Sequence, residues 1–271
     1  MMGALLVVLA LLAGCAAPVG EPSREPSASG AMARIQSRGE LVVGTAGSMP
    51  PFNMTTKRGE VIGLDVDLAR SMAEGLHVKL RLAAMAFPEL LPALQAGKVD
   101  AVISAMTITP ERSLQATFVG PYFVSGKSYL TKADGPVAGK GTAELNDPTI
   151  RLAALSASTS QRFVEQTMPK ARLVLVRDYD AGIQLVLQDR VDAMVADFPV
   201  CVFSVFRYPD RGLYALVAPL TREEIGIALP KGDVALEAWT RRWLQGLEAS
   251  GALGRMQDRW FKNPSWLGEL P

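Results

Sequence analysis

Two separated segments of the chain repeat one pattern: a helix-forming stretch, a tight turn, Val-Asp-Ala and an apolar strand. The first reads LPALQAGKVDAVIS at residues 91–104, and the second reads IQLVLQDRVDAMVAD at residues 183–197. A helix that leads into a strand is the building unit of a parallel α/β sheet. Two such units in the two halves of the chain predict two lobes of similar architecture.

Short apolar, β-branched runs alternate with stretches of helical period along most of the chain, which predicts an α/β fold with parallel strands. The predicted strands are residues 41–44, 79–83, 101–104, 150–155, 172–176, 193–196 and 214–218. The predicted helices are 65–74, 87–96, 160–166, 179–188 and a C-terminal pair between 234 and 261. A length of 271 residues suits two lobes of about 100–130 residues each.

The composition excludes several classes of protein. Lys and Arg number 28 against 27 Asp and Glu, so the chain lacks the basic surplus of a nucleic-acid-binding protein. One His and two Cys leave no room for a His/Cys metal cluster or a disulfide framework, and no metal or cofactor is expected. Hydrophobic residues make up 49%, enough for a sizeable core.

The first fifteen residues, MMGALLVVLALLAGC, read as a targeting segment. The apolar run at 4–13 is too short to cross a bilayer and has the length of a signal-peptide core. Leu12-Ala13-Gly14-Cys15 resembles the bacterial lipoprotein signal, which implies cleavage after residue 14 and lipidation of Cys15. The alternative is a buried N-terminal helix. Residues 15–34, rich at first in Pro, Ser, Ala and Gly, are predicted to form a flexible tether.

Ligands of open parallel sheets collect beyond the carboxyl ends of the strands. In the first repeat that place holds hydroxyl residues followed by Arg112, and in the second it holds Asp197. A cleft with a cation on one side and an anion on the other suits a zwitterion. The structural alternatives are a surface position for Arg112 and a helix-capping role for Asp197. Asp65 and Asp67 are interpreted as first-turn acids of a helix.

Further motifs follow one another in the order found in a known family. The chain resembles the periplasmic amino-acid-binding proteins of solute-binding family 3 over about residues 35–262. The motifs are Gly44-Thr45, Pro50-Pro51-Phe52, GLDVDLA at 63–69, LPALQAGKVD at 91–100, SAMTITPER at 104–112, Gly120-Pro121-Tyr122, Arg190-Val191-Asp192-Ala193, and Asp258-Arg259-Trp260-Phe261.

The resemblance implies a two-lobed periplasmic-binding-protein fold of type II, with two hinge strands and a ligand cleft between the lobes. Lobe 1 would comprise 35–127 and 220–271, and lobe 2 would comprise 128–219, with hinge crossings at 127–132 and 217–221. It also implies a monomer that binds a free amino acid, works with the permease of an ABC importer, and meets the membrane only through its lipid anchor. Neither catalysis nor nucleic-acid binding is expected.

The resemblance also assigns the ligand-binding residues. Arg112 would clamp the ligand α-carboxylate, for which a planar guanidinium offers two parallel donors. Asp197 would accept from the α-ammonium. The remaining polar groups would be the hydroxyl and N–H of Thr107, the hydroxyl of Ser104, the carbonyl of Ala105, and Ser158 and Thr159 in the turn that opens a second-lobe helix.

The positions around the ligand side chain predict a neutral ligand. Family members that bind cationic side chains carry an Asp where this chain has Ala46. The stacking aromatic of the family is replaced by Met49, while Phe87 and Leu155 supply apolar walls. Without a carboxylate for a second ammonium, a cationic ligand would be bound at a desolvation cost.

Two alternatives remain open. One is a cyclohexadienyl dehydratase-like enzyme on the same fold, which needs an acid/base group over the ring. Residues 198–201, just past Asp197, contain no carboxylate, and the turn at 155–161 differs from that of the enzyme. The other alternative is a sensor whose lobes report to a membrane receptor.

Overall fold

The structure is a computed structural model that describes residues 30–271. The predicted signal peptide, Cys15 and most of the predicted tether lie outside these residues. Among the described helices, none has both the length and the apolar character needed to span a membrane.

The helices and strands alternate along the chain. The first part contains α1 (Ala31–Arg38), β1 (Glu40–Thr45), β2 (Ser48–Met49), β3 (Asn53–Thr55), β4 (Val61–Ile62), α2 (Leu64–Gly75), β5 (Lys79–Ala84), α3 (Leu90–Gln95), β6 (Ala101–Val102), α4 (Pro110–Ser113) and β7 (Thr117–Ser125). The middle part contains β8 (Lys127–Lys132), α5 (Thr142–Leu145), β9 (Arg151–Leu155), α6 (Thr159–Thr167), β10 (Arg172–Val176), α7 (Tyr179–Leu187), β11 (Ala193–Asp197), α8 (Phe198–Arg207) and β12 (Leu213–Ala215). The last part contains β13 (Glu223–Leu229), α9 (Val234–Ala249) and α10 (Ala252–Phe261).

The first five-stranded sheet has the order β5-β1-β6-β13-β7. β1 runs parallel to β5 and β6, and β13 is antiparallel to β6 and β7. The consecutive residues Leu41, Val42 and Val43 of β1 are all buried. Both faces of this strand are therefore covered, as is typical of parallel sheets packed between helices; α1, α2 and α3 all contact β1.

The second five-stranded sheet repeats this plan in the order β10-β9-β11-β8-β12. β9 runs parallel to β10 and β11, and β8 is antiparallel to β11 and β12. The strands of the two sequence repeats, β6 and β11, hold equivalent third places in their sheets. The prediction of two lobes of like architecture is confirmed, and a small sheet β2-β3-β4 adds to the first lobe.

Polar side chains mark where several helices begin. At four of them, the residue before the first turn accepts a hydrogen bond from a backbone N–H of that turn, which satisfies a donor that the helix itself leaves free. These residues are Thr109 before α4, Ser158 before α6, Asp178 before α7 and Asp233 before α9.

Some predicted boundaries were wrong. The segment 217–221, predicted as a hinge strand, forms no strand, and the strand predicted at 214–218 ends at Ala215. Pro219 lies within this segment and has no N–H to donate to a strand neighbour. The predicted tether reached residue 34, but α1 begins at Ala31 because Ala31 and Ile35 bury one helical face. The helix predicted at 87–96 is a 3-10 turn followed by α3.

Gly126 lies where the chain leaves the first sheet for the second, and its position leaves no space for a side chain. A Cβ there would lie 1.8 Å from the carbonyl oxygen of Thr221. The neighbouring backbone is held in place, since Lys127 N donates to Thr221 Oγ1 at 2.9 Å and Leu220 N donates to Lys127 O at 2.7 Å.

We expect Gly126→Ala to lower the free energy of unfolding by about 1–3 kcal/mol, the usual cost of overpacking. Urea denaturation measures this change. The matched control is Gly246→Ala within α9, where no atom lies within 4 Å of the added Cβ; that variant should gain up to about 1 kcal/mol. Equal stability of Gly126→Ala and the wild type would show that the crossing has room for a methyl group.

Candidate functional site

The candidate site lies beyond the carboxyl ends of β6 and β11. The predicted ligand groups Ser104, Ala105 and Thr107 follow β6, and Asp197 ends β11. The two lobes touch at this point, where Thr107 Oγ1 lies 3.3 Å from Oγ1 of Thr159, the first residue of α6. The two strand ends therefore contribute to one site, as their equivalent places in the two sheets predict.

Arg112 joins the two lobes through its guanidinium. Its helix α4 is preceded by Thr109, whose hydroxyl accepts from the Arg112 backbone N–H at 3.2 Å. Nη1 donates to the carbonyl of Thr107 at 2.9 Å, and Nη2 donates across the cleft to the carbonyl of Ala157 at 3.1 Å. The guanidinium carbon lies 5.4 Å from the centre of the Phe87 ring, within the range of a cation–π contact.

The Arg112 cation has no anionic partner among residues 30–271. The residue is only 8% exposed, and none of the ion pairs in this part of the chain includes it. Burial lowers the pKa of Arg112 to about 10, against the opposing effect of the nearby carboxylates of Asp197 and Glu223. The guanidinium is therefore charged at neutral pH. A buried cation held only by carbonyl oxygens is well placed to receive an anion.

The Asp197 carboxylate is already paired within the chain. It accepts from Lys127 Nζ at 2.6 Å and from the Tyr179 hydroxyl at 3.1 Å. Lys127 begins β8 directly opposite Asp197 in the antiparallel ladder, and the two residues are only 1% and 4% exposed. Asp197 precedes α8 but makes no side-chain capping bond. The position predicted for the ligand ammonium thus holds the ammonium of Lys127, which sequence analysis did not identify.

Glu223 is a second residue that sequence analysis missed. Its Oε2 accepts from Thr107 Oγ1 at 2.9 Å and Thr159 Oγ1 at 3.0 Å, and it lies 3.1 Å from Lys127 Nζ. Burial alone would raise the pKa of Glu223, but the Lys127 ammonium and the threonine hydroxyls hold it below its ordinary value. The Thr107 hydroxyl, predicted to contact the ligand, and the Thr159 hydroxyl therefore both donate to this side chain.

The other predicted ligand residues divide into two groups. Met49 and Leu155 are 1% and 0% exposed and belong to the apolar core next to the site. Ser104 Oγ accepts from the N–H of Ala46, and Ser158 Oγ caps α6. A contact of these residues with a ligand stays a prediction. Over residues 30–271, no group of three or more His, Cys, Asp or Glu side chains is arranged to hold a metal ion.

Two cavities flank the contact between the lobes. One of about 580 Å³ reaches Thr107, Thr159 and Glu223 from one side. The other, of about 300 Å³, is lined by the predicted side-chain positions Ala46 and Phe87. Its opposite wall comes from the second lobe and includes Arg177, Asp178 and Asp180. The first cavity thus reaches the polar centre of the site, and the second is lined by predicted side-chain positions and by residues of the second lobe.

Asp65 lies in the first turn of α2, as the sequence predicts, and it also binds the turn after β6. Its Oδ2 accepts from the Ala105 N–H at 2.9 Å and from Asn53 Nδ2 at 2.6 Å, and its Oδ1 accepts from the Tyr122 hydroxyl at 2.7 Å. Ala105 has a positive φ of 46°, a conformation that costs energy outside glycine. The carboxylate therefore anchors a strained residue of the candidate site.

Burial raises the pKa of Asp65 from 3.8 to about 6, although its three hydrogen bonds oppose the change. The folded pKa exceeds the unfolded one, so this group adds stability that is fully present below pH 3.8 and is lost as the pH rises through about 6. We expect Asp65→Asn to remove this dependence. The unfolding free energy of the wild type, relative to the variant, should fall by about 3 kcal/mol between pH 3 and pH 8 in denaturant titrations. Parallel pH profiles would contradict the assignment.

The chain has two similar α/β lobes, with a buried arginine and an acidic cluster where the lobes meet. This arrangement is that of a two-lobed ligand-binding protein with the type II periplasmic-binding-protein fold. The chain belongs to the bacterial extracellular solute-binding proteins, family 3, whose model matches residues 41–263. The family resemblance seen in the sequence motifs is confirmed.

The chain is similar to individual proteins that include binding proteins and an enzyme. The L-arginine-binding protein of Pseudomonas aeruginosa is 32% identical over 234 residues, covering 81% of this chain and 86% of that protein. The cyclohexadienyl dehydratase of the same organism is 27% identical over 229 residues, covering 84% and 85%. A crystal structure of an ancestral amino acid-binding protein, described as a precursor of cyclohexadienyl dehydratase, matches with a TM-score of 0.78 and 33% identity, covering 86% of this chain and all of that one.

Proposed function

We propose that this chain is the extracytoplasmic binding component of an ABC importer and that it binds an amino-acid-sized ligand through the ligand's carboxylate. One observation carries the proposal: the buried guanidinium of Arg112 spans the two lobes without an anionic partner among residues 30–271. The sequence predicts a neutral α-amino acid as the ligand.

A carboxylate between the lobes would explain why Arg112 lies where it does. The guanidinium presents paired N–H donors in a plane, and a carboxylate accepts two of them side by side. A charge-assisted contact contributes roughly 1.5–3 kcal/mol. Two or three such contacts, together with burial of an apolar side chain, reach the ~8 kcal/mol of a micromolar complex.

The cavity next to Phe87 supports a ligand without a cationic side chain. Its two carboxylates already have partners, since Asp178 pairs with Arg177 at 3.4 Å and Asp180 pairs with Arg207 at 2.6 Å. A ligand cation there would compete with these arginines and would lose hydration. In this respect we expect the chain to differ from its arginine-binding relatives.

The cellular context of the proposal rests on sequence. Lipidation at Cys15 would anchor a monomer to the membrane surface, and the flexible segment after it would let the lobes reach a permease. Closure of the lobes on the ligand would create the surface that the permease recognises, because binding shifts the population towards the closed form.

The direct test is the identity of whatever small molecule co-purifies with the chain. Denaturation should release the bound molecule, and mass spectrometry should identify it as a small carboxylate without a cationic side chain. A thermal-shift panel of the twenty amino acids gives a second readout, in which arginine and lysine should not raise Tm. Tight arginine binding would contradict the neutral-ligand proposal, and release of a ligand that has no carboxylate would contradict the role of Arg112.

A second candidate function is a dehydratase on the same fold, favoured by the cyclohexadienyl dehydratase among the relatives. Incubation with prephenate or arogenate, followed by absorbance of an aromatic product, tests it directly. We expect no product, because general acid catalysis needs a free proton donor in reach of the ring: residues 198–201 supply no carboxylate, and Lys127, Asp197 and Glu223 are paired with one another. Co-purification with permease subunits distinguishes transport from a sensory role.

A further inference from the structure

The two poles of the candidate site differ in whether they are already occupied. At the positive pole, the Arg112 guanidinium is 8% exposed and binds only carbonyl oxygens among residues 30–271. At the negative pole, the Asp197 carboxylate already receives an ammonium and a hydroxyl from Lys127 and Tyr179. The Arg112 cation thus has no anionic partner among these residues, whereas the Asp197 carboxylate already has a cationic one.

Lys127 is held firmly in this position. Its ammonium lies between two carboxylates, 2.6 Å from Asp197 and 3.1 Å from Glu223. Its backbone is fixed by the ladder with β11 and by hydrogen bonds to Thr221 Oγ1 and from Leu220 N. A ligand ammonium that took over Asp197 would break the shorter of these pairs, would leave Lys127 with Glu223 as its anionic partner, and would bring two like charges close together, which is unfavourable.

An ammonium has three N–H donors. Within residues 30–271, the donors of Lys127 have two anionic partners, Asp197 and Glu223. The third donor is left for a ligand, and it suits a neutral oxygen next to a carboxylate that Arg112 holds. A 2-oxo group accepts such a bond, and so does a 2-hydroxyl. An α-ammonium cannot, because it has donors only.

Building on the carboxylate recognition of the proposed function, we infer that Lys127 replaces the ligand's α-ammonium and that the chain selects 2-oxo or 2-hydroxy carboxylates over α-amino acids. Arg112 binds the carboxylate of such a ligand, and Lys127 donates to the oxygen on C2. The specificity of the site is thus set by a lysine on the strand that connects the lobes.

The test compares ligands that differ only at C2. Purified protein, freed of bound ligand by unfolding and refolding, is titrated calorimetrically with alanine, lactate and pyruvate. The leucine and phenylalanine sets, each with its 2-hydroxy and 2-oxo analogues, follow. We expect the best oxo or hydroxy acid to bind at least about tenfold more tightly than its matched amino acid, because the α-ammonium of the amino acid must displace Lys127 from Asp197.

A charge-matched double variant reports on Lys127 itself. Lys127→Met with Glu223→Gln removes one cation and one anion, which leaves Asp197 free to accept a ligand ammonium. The preference should shift towards the amino acid by at least about tenfold. The control, Lys132→Met with Asp189→Asn, removes a pair at the other end of β8, where Asp189 is 72% exposed, and should keep the wild-type preference.

The outcomes separate this inference from the proposed function. If the wild type prefers amino acids, and Arg112→Ala abolishes their binding, this inference is wrong and the proposed function stands. If no carboxylate of either series binds, both are wrong. An unchanged preference in the double variant would also overturn the role of Lys127, and the wild-type comparison stands even if that variant does not fold.

Discussion

Replacing Arg112 by alanine is expected to weaken binding of a carboxylate ligand by about 2–5 kcal/mol, which is at least about 25-fold in Kd. The guanidinium is the buried cation that has no anionic partner among the described residues, and it holds Thr107 and Ala157 of opposite lobes. Its removal takes away the charge that a carboxylate needs and a contact that closes the cleft. Calorimetry with the tightest acid of the C2-matched panel measures the loss.

The fold should survive this substitution. Alanine gives up two hydrogen bonds to carbonyl groups, but the desolvation that depresses the pKa of Arg112 disappears with the charge. The matched control is Arg241→Ala, which removes a guanidinium that is 50% exposed and pairs with Glu237 at 2.8 Å within α9. The affinity of this control variant for the same ligand should stay close to that of the wild type. Unchanged affinity in Arg112→Ala, with circular dichroism showing a folded protein, would rule out Arg112 as the carboxylate receptor.

Sequence patterns predicted the sheet architecture well where strands are apolar and flanked by helices. The strand predicted at 172–176 coincides with β10, and the helix predicted at 179–188 differs from α7 by one residue. The strands β2, β3 and β4, of two or three residues, are too short for a period to show. The antiparallel strands β7 and β13 were missed because neither belongs to a helix–strand repeat.

The site residues that the sequence predicted lie at or just after the ends of the equivalent strands β6 and β11. They include Thr107, Arg112 and Asp197. Topology brings such strand ends together even when the chain separates them widely. Lys127 and Glu223 instead begin strands, at positions where a charged side chain is usually read as solvent-exposed. Their pairing depends on a register that only the folded sheets define.

The one signal available for Lys127 was its strand. β8 reads KSYLTK, in which two polar residues precede and two follow a single apolar pair, so neither a continuous apolar run nor a period of two marks it as a buried strand. Five of its six residues are buried, including Lys127, because β8 is an inner strand between β11 and β12. Buried polar side chains in such a strand need partners, and the search for a partner leads to Asp197.

Replacing Lys127 by methionine is expected to lower the free energy of unfolding by about 3–5 kcal/mol in the absence of ligand, the usual cost of removing one member of a buried ion pair. Methionine keeps the length and the apolar stem of lysine, so the change isolates the charge. The carboxylates of Asp197 and Glu223 would then lose the cation that they share. Tyr179 would still donate to Asp197, and the hydroxyls of Thr107 and Thr159 would still donate to Glu223. Equilibrium denaturation at neutral pH measures the loss.

The second substitution Glu223→Gln should restore part of this stability, because it removes one of the two carboxylates that the single variant leaves unpaired. Lys132→Met is the matched control on the same strand; its partner Asp189 is 72% exposed, so little stability should be lost. If Lys127→Met proves as stable as Lys132→Met, the buried pair contributes nothing to the closed fold. In that case Lys127 leaves Asp197 at little cost, and an amino acid is free to take its place.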